Sequence, residues 1–486
     1  MSTEIELKLE IEPEDLPLLR HDPLLAGTSS HSGHQVTVYY DTADTQLRKH
    51  GFTLRVRNAN DRFIQTVKAT TDHVGLVSRE EVEWETNSIE PDLDLLTHHR
   101  IHSVLRDREG AGLEAVLCSE VIRTSWNVSR ANGRMQIDLD HGTITAGAES
   151  VEFAELEFEL AEGPPASLIV AARRLADHVP VRLGVLTKAE RGFLLADHQL
   201  GKVTKSVAVN VNSKMTVAEA FEVIVHACVK HYRLNEPIVL RQSEADALHQ
   251  CRVAMRRLRS ALTIFRPAIE DVEFQHVRQE LRWFTGQLGH ARNLDVYLER
   301  NIDEKRRAKL TRKREKAYGQ VADAMNSHSF RRLMVDLVGW VAIGSWRRGK
   351  AARRPIGSFA NRRLNALWRS IVALGRNVGK MDEVTRHELR IQIKKLRYAI
   401  EFLRGLYPDA PSVEKKFARA VEQLQETLGN LNDMATALTL DSAPAEETWL
   451  IGSLDERRFL IAAEDALRDL YRIGPFWRGQ KRGGPA

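Results

Sequence analysis

Glu4, Glu6 and Lys8 stand at alternate positions of one short stretch. Side chains two residues apart on an extended chain leave from the same face, so these three project together while Ile5, Leu7 and Leu9 project to the other side. The device recurs through residues 1–200. Arg55 and Arg57 share a face, as do Arg79, Glu81, Glu83 and Glu85, then Asp138 and Asp140, then Glu155, Glu157 and Glu159. Lys68, Arg123, Arg130, Lys188 and Arg191 add cations nearby in sequence. Carboxylates are hard oxygen ligands suited to Mg²⁺ or Mn²⁺. Lysine and arginine suit the oxygens of a phosphate chain, arginine with its bidentate fork. Phosphoryl transfer asks mainly for positioning, charge neutralisation and an aligned water, which such a set supplies.

One alternately charged strand most often only meets solvent, where its ion pairs are worth little. Here the pattern occupies most of the strands, and it includes rows of like sign. Three carboxylates on one face of one strand repel unless a cation or arginines compensate. That favours a closed sheet whose charged face lines an interior and whose apolar face packs outward against helices.

The elements that must position these groups are legible as period-two runs. Strands are expected at Glu4–Ile11, Gln35–Tyr40, Phe52–Arg57, Phe63–Lys68, Arg79–Glu85, Gly133–Asp140 and Val151–Leu160. Short helices are expected at Glu14–Arg20 and at Ala166–Asp177, after Pro164 and Pro165. Residues 201–215 read as a linker. From Thr216 the texture changes to long helices: Val217–Lys230, Glu244–Phe265, Phe274–Leu288, Leu294–His328, Ser358–Arg376, Asp382–Leu406, Val413–Leu438 and Leu454–Tyr471. The expected organisation is a 1–200 sheet domain, the linker, and a 216–478 helical domain with halves at about 216–345 and 358–478.

The halves repeat one another. His249, Arg252, Arg256 and Arg259 are spaced three, four and three residues apart, and so are His387, Arg390, Lys394 and Arg397. Each set forms one stripe on a helix. Further on, each copy has a Leu-Gly step, Leu288-Gly289 and Leu428-Gly429. Like charges stacked along a helix destabilise it unless an anion compensates. A solvated basic helix would explain one stripe; its recurrence with an imidazole favours an anionic ligand. Nucleic acid competes for such stripes, since its backbone attracts Lys and Arg regardless of sequence. It is disfavoured because no zinc finger, stacking module or glycine-rich RNA loop accompanies them.

Composition sets the outer bounds. The chain has 486 residues, too many for one core, and a formal charge of +5 that hides arginine runs in the C-terminal half. Cys118, Cys228 and Cys251 lack ligand spacing, which favours buried thiols in a reducing compartment over a zinc or disulfide framework. Without a basic segment followed by an apolar run at the N-terminus, a cytoplasmic protein is expected. The apolar run Leu333–Ile343 is too short to span a membrane and reads as a core helix.

Glu4-Ile-Glu6-Leu-Lys8 resembles the Glu-x-Glu-x-Lys signature of the CYTH superfamily, the triphosphate tunnel metalloenzymes. The likeness continues in order through Phe52–Arg57, the Lys68 strand, Glu81–Glu83, Glu155–Glu159 and Lys188–Gly192. It implies a multidomain α+β chain beginning with an eight-stranded antiparallel tunnel that hydrolyses triphosphates with Mg²⁺ or Mn²⁺. By family role, Glu4, Glu6, Glu157, Glu159 and Asp138 would bind metal. Lys8, Arg55, Arg57, Lys68, Arg123, Lys188 and Arg191 would hold phosphate oxygens. Glu4, Glu6, Lys8, Glu81 and Glu83 would form the catalytic set, the last two organising basic groups or water. The 215–478 region resembles the CHAD domain, with Asn293 in place of the usual Asp. That resemblance implies tandem helical bundles binding inorganic polyphosphate in a basic groove through His249, Arg252, Arg256, Arg259, His387, Arg390, Lys394 and Arg397. The leading expectation is an inorganic triphosphatase that releases pyrophosphate and phosphate. The alternatives are a nucleoside or thiamine triphosphatase, an adenylate cyclase, or a non-catalytic polyphosphate binder.

Overall fold

The computed structural model describes residues 2–69, 74–97, 100–106, 112–130, 133–299, 303–408, 411–440 and 445–478; the side chains of 2–4, 77–80, 377, 379–380, 430–440 and 445–457 lie outside the description. Nine strands form in chain order: β1 Ser2–Glu10, β2 Ser30–Thr42, β3 Phe52–Ala59, β4 Arg62–Ala69, β5 Leu76–Thr86, β6 Leu113–Arg130, β7 Gly133–Ala146, β8 Glu149–Glu162 and β9 Arg182–Leu183. Their spatial order is β5-β4-β3-β2-β6-β7-β8-β1, and β1 pairs back onto β5. Eight antiparallel strands therefore close a ring, as expected. The ninth is a two-residue strand set against the end of β1, with Leu9 opposite Leu183 and Glu10 opposite Arg182.

Alternation decides which side chains face the interior. On β3, Arg55 and Arg57 point inward while Leu54 and Val56 point outward. There they join a buried cluster with Val67, Leu47, Leu96 and Ile101. Leu47 comes from helix α2 (Gln46–Lys49), which follows α1 (Leu16–Leu19), and Ile101 from α3 (Arg100–Arg106). On β8, Leu156 and Phe158 are fully buried outward, and helix α4 (Ala166–His178) packs on β8 and β1. Helix α5 (Lys188–Ala196) lies against β6, β7 and β8. Its approach depends on Gly192, where an added Cβ would come 2.7 Å from the Leu117 side chain.

The longest strand, β6, is absent from the sequence-based expectation. Its inward positions carry Ser119, Val121 and Arg123, and Ile122 faces solvent. Neither face has uniform polarity, so the run lacks a period-two signature.

The helices continue as α6 Val217–Gln242, α7 Ala245–Ile269, α8 Phe274–Leu298, α9 Glu304–Asn326, α10 His328–Ile343, α11 Ile356–Leu374, α12 Glu383–Leu403, α13 Pro411–Leu440 and α14 Ala445–Ile473. The single helix expected over Leu294–His328 is corrected to three pieces. Asp303 caps the start of α9 by accepting from Arg306 N, and Ser327 does the same for α10 through Phe330 N. The apolar run Leu333–Ile343 falls in the buried α10, and no described helix is long and apolar enough to cross a membrane.

Contacts group the described chain into two compact units. The first joins residues 1–206, which hold the ring, to 226–256 and 272–345. Its helical core includes Phe284 stacked on Phe330 at 3.7 Å, with Tyr232 edge-on. The second comprises 207–225, 257–271 and 346–486. It has its own aromatic core, where Trp368 meets Phe417 at 5.6 Å and Phe265 meets Phe359 at 5.1 Å.

Candidate active site

Cross-strand register sets the site. Asp138 faces Glu157 and Asp140 faces Glu155 across β7 and β8. Lys8 faces Glu157, and Glu6 faces Glu159, across β1 and β8. Arg123 on β6 faces Asp140. Opposite acids would repel at this spacing, so the register demands interleaved cations. These groups, apart from the fully buried Glu155, and the inward residues of β3–β5 line one cavity of about 560 Å³.

Its centre is a node of alternating charge. Lys8 Nζ lies 3.1 Å from Glu155 and 2.9 Å from Glu157. Lys188 Nζ lies 2.8 Å from Asp140 and also pairs with Glu155. Arg123 donates to both oxygens of Asp140 at 2.6 Å, to Asp138 at 2.9 Å and to Glu157 at 2.8 Å. Burial raises the cost of every charge here, and the partners outweigh it. Lys8 and Lys188 are held above the usual lysine range, chiefly by Glu155 and Asp140 respectively. Glu157 is held well below the usual carboxylate range by Lys188, Lys8 and Arg123.

Basic groups gather on one wall beside this node and carboxylates on another. On one, Arg55, Arg57 and Lys68 crowd together. Burial and then Arg55 push both Arg57 and Lys68 down, although Lys68 pairs with Glu81. Arg57 reaches Glu83 only at 3.9 Å, and the buried Nε atoms of Arg55 and Arg57 have no hydrogen-bond partner. On the other side, burial and then Asp138, Glu6, Glu157 and Glu81 lift the Glu159 carboxyl above its ordinary value. Burial opposes the Arg55 charge, and Tyr39, Glu81 and Glu83 outweigh it.

Among the described residues, one group of carboxylates is close enough to share a metal ion. Asp140, Glu155 and Glu157 bring one oxygen each within 4.8 Å of one another. Lys8, Lys188 and Arg123 pair with these carboxylates, while one buried oxygen of Glu155 has no hydrogen-bond partner; the cluster could hold a metal ion. Like charge bears most on Glu159, whose carboxyl burial and then Asp138 and Glu6 lift.

Of the site residues expected from sequence, the cavity brings together Glu6, Lys8, Arg55, Arg57, Lys68, Glu81, Glu83, Arg123, Asp138, Glu157, Glu159 and Lys188. The Glu4 side chain lies outside the described residues. Arg191 instead bonds Glu10 at 2.9 Å, and that carboxylate also holds Arg233 at 2.7 Å. Residues not singled out from sequence also line the cavity: Tyr39, Arg48, Gln136, Glu190 and, from α6, Lys230. Gln136 was findable, being in step with Asp138 on β7; Lys230 has no local signal.

The stripe residues are placed within each unit separately. In the first, His249, Arg252 and Arg256 are half-buried on α7. Burial, with Arg292, Arg256 and Arg252 beside it, pushes the His249 imidazole toward its neutral form. Gly289 on α8 leaves room for Arg252, whose Nη1 lies 2.8 Å from where a Cβ would stand. In the second, Arg259 is half-buried near the end of α7. On α12, His387 is exposed and Arg390, Lys394 and Arg397 are half-buried. Gly429 faces Arg390 less closely, with Nη2 3.9 Å from where a Cβ would stand. Arg257, beside the first stripe, is buried against Glu401 at 2.7 Å and belongs to the core.

A closed antiparallel ring with inward charges of both signs, followed by helical bundles, defines a charged-tunnel protein with an appended all-α region. The chain matches the CYTH domain over residues 2–193 and the CHAD domain over residues 223–440, and it is a CYTH–CHAD protein. An inorganic triphosphatase of Haemophilus influenzae is 29% identical over 210 residues, covering 41% of this chain and 56% of that protein. The chain thus spans little more than half the length of that curated relative. Among solved structures, the CHAD domain from the plant Ricinus communis shows 26% identity and a TM-score of 0.44, over 57% of this chain and 97% of that one. A Hippeastrum protein, described as a candidate adenylyl cyclase with a dominant triphosphatase activity, shows 22% identity and a TM-score of 0.31, over 41% and 97%.

Proposed function

We propose that the tunnel is a divalent-metal-dependent triphosphatase acting on inorganic triphosphate to give pyrophosphate and phosphate, and that the helical region binds inorganic polyphosphate. The observation that carries the first part is the double lining of the cavity: Arg55, Arg57 and Lys68 crowd together on β3 and β4, and burial with Asp138, Glu6, Glu157 and Glu81 lifts the Glu159 carboxyl. A phosphate chain bridged by a cation satisfies both at once. Arg55 and Arg57 bind the chain's oxygens through their unsatisfied donors, and Lys68 adds charge beside them. Glu6, Asp138 and Glu159 would hold Mg²⁺ or Mn²⁺, which would neutralise phosphate charge and sharpen the acidity of a bound water. Lys8, Lys188 and Arg123 stay fixed by their carboxylates and would offer prepositioned donors to phosphate oxygens, so little reorganisation is needed during reaction. Glu81 and Glu83 orient Lys68, Arg57 and Thr66.

A second reading, an organic triphosphate, is favoured by the apolar residues Phe52, Phe193, Leu194 and Leu234 along part of the cavity. Against it, the Arg48 guanidinium already covers the Phe193 ring at 4.7 Å, so that face is not free to stack a base. The full-length chain is to be given tripolyphosphate, ATP, GTP and thiamine triphosphate with Mg²⁺ or Mn²⁺. Fastest phosphate release from tripolyphosphate, abolished by EDTA, is expected. Preference for an organic substrate would replace the first reading with the second, and no release from any would end both. For the helical region, simultaneous replacement of Arg252, Arg256, Arg390 and Lys394 should weaken polyphosphate binding and flatten its salt dependence. Unchanged affinity would defeat the polyphosphate reading.

A further inference from the structure

Helix α5 carries Lys188 in its first turn and is held there from outside the ring. Glu190 closes a capping box with Thr187. Its Oε2 accepts from Thr187 N at 2.9 Å and Thr187 Oγ1 at 3.1 Å, and Thr187 Oγ1 accepts from Glu190 N at 3.1 Å. The remaining oxygen, Oε1, lies 2.6 Å from Lys230 Nζ, a side chain of α6 forty positions further along the chain. Burial would lift the Glu190 carboxyl; Lys230 and the Thr187 hydrogen bonds hold it below its ordinary range. The same face of α6 makes a second tie. Arg233 bonds Glu10 at 2.7 Å and Leu183 O at 2.8 Å, and Glu10 in turn holds Arg191 of α5.

An exposed ion pair would be worth little. This one is mostly buried, with side-chain exposures of 23% and 25%. Its carboxylate is also committed to the cap that sets where Lys188 begins. Lys188 then spans from the cap to Asp140 and Glu155 at the centre of the tunnel.

We propose that Lys230 is a positioning residue for the tunnel: a cation from the helical region that, through Glu190, fixes the first turn of α5 and with it the Lys188 ammonium among Asp140, Glu155 and Glu157. The inference rests on the triphosphate reading of the site. The helical region then does more than bind a polymer, since one of its helices completes the setting of a tunnel residue.

The test uses the full-length chain with Lys230→Met, Lys230→Arg, Glu190→Gln and the Met/Gln double variant. Glutamine preserves the capping box but removes the charge that Lys230 answers. Lys230→Met should lower kcat/KM for tripolyphosphate on the order of 10-fold, and Lys230→Arg should recover most of it. In the Glu190→Gln background, Lys230→Met should cost less than about 2-fold, because the contact it removes is already gone. Full activity of Lys230→Met would overturn the proposal. So would an equal loss in both backgrounds, which would mean that Lys230 touches substrate directly. Calorimetric titration of the same proteins with tripolyphosphate, without metal, repeats the cycle on binding. If the wild-type chain binds tripolyphosphate but releases no phosphate, the triphosphatase reading falls and the binding cycle alone judges Lys230. Absence of binding by the wild-type chain overturns both.

Discussion

At the scale of residues, the tunnel separates two jobs that its mixed charges would otherwise blur. The node of Lys8, Lys188 and Arg123 with Asp140, Glu155 and Glu157 is internally neutralised and fixed. Arg55, Arg57 and Lys68 on one wall, and Glu6 and Glu159 on the other, lie outside that node. Substitutions should therefore sort by wall. Glu159→Gln or Glu6→Gln should lower turnover of tripolyphosphate on the order of 100-fold and raise the Mg²⁺ or Mn²⁺ needed for half-activity. Arg55→Ala should act mainly on the KM for tripolyphosphate and leave the metal requirement near that of the wild type. A metal titration at saturating substrate separates the two patterns; a metal requirement shifted equally by both substitutions would contradict the two-wall description.

At the scale of elements, the stripe helices are fitted to their neighbours by glycines. An added Cβ at Gly289 would meet only the flexible end of Arg252, so Gly289→Ala should fold. Alanine also raises helix propensity by about 1 kcal/mol over glycine. Thermal stability should hold or rise while polyphosphate affinity falls several-fold as Arg252 is displaced. A fall in stability with unchanged affinity would contradict this. The Leu-Gly steps were visible in the sequence as a repeat, but not as sockets for arginine, because a helix's partner face is set by packing rather than by local composition. Strand faces were legible for the same reason that β6 was not. Glu6–Lys8, Arg55–Arg57 and Glu155–Glu159 alternate cleanly, whereas Ser119, Val121 and Arg123 share an inward face with no common chemistry. Register also lay beyond reach: nothing local tells Arg191 to choose Glu10, or Lys230 to choose Glu190.

At the scale of the whole molecule, the compact unit that holds the ring includes residues 226–256 and 272–345. A fragment ending at residue 206 should consequently melt below the full-length chain and lose cooperativity, while one ending at residue 345 should retain the tunnel's stability. Scanning calorimetry of the two fragments checks this. Acid lability should have an identifiable source within the same unit. Burial would lift the Glu10 carboxyl, and Arg191 and then Arg233 hold it below its ordinary value of 4.5. Its stabilising contribution is full above that value and is lost as pH falls through the depressed value in the folded chain. Glu10→Gln removes the charged partner of Arg191 and one of the two carboxylates on Arg233, which keeps Glu236, and should cost about 2 kcal/mol near neutrality. The gap between wild type and variant should stay constant down to about pH 5 and close below it; a gap that widens in acid would assign the lability elsewhere.

The pairing of β1 with both β5 and β8 also has a consequence during synthesis. The first strand to leave the ribosome is the last to be enclosed, since β8 ends at Glu162. At roughly 5–20 residues per second, β1 waits on the order of ten seconds or more with its edges open. Glu6 and Lys8, which later line the tunnel, and Glu10, which later pairs with Arg191 and Arg233, meanwhile place a charge at every second position of that stretch. Such charges discourage pairing with other nascent chains. The side chains that line the finished tunnel are thus also its gatekeepers before it exists.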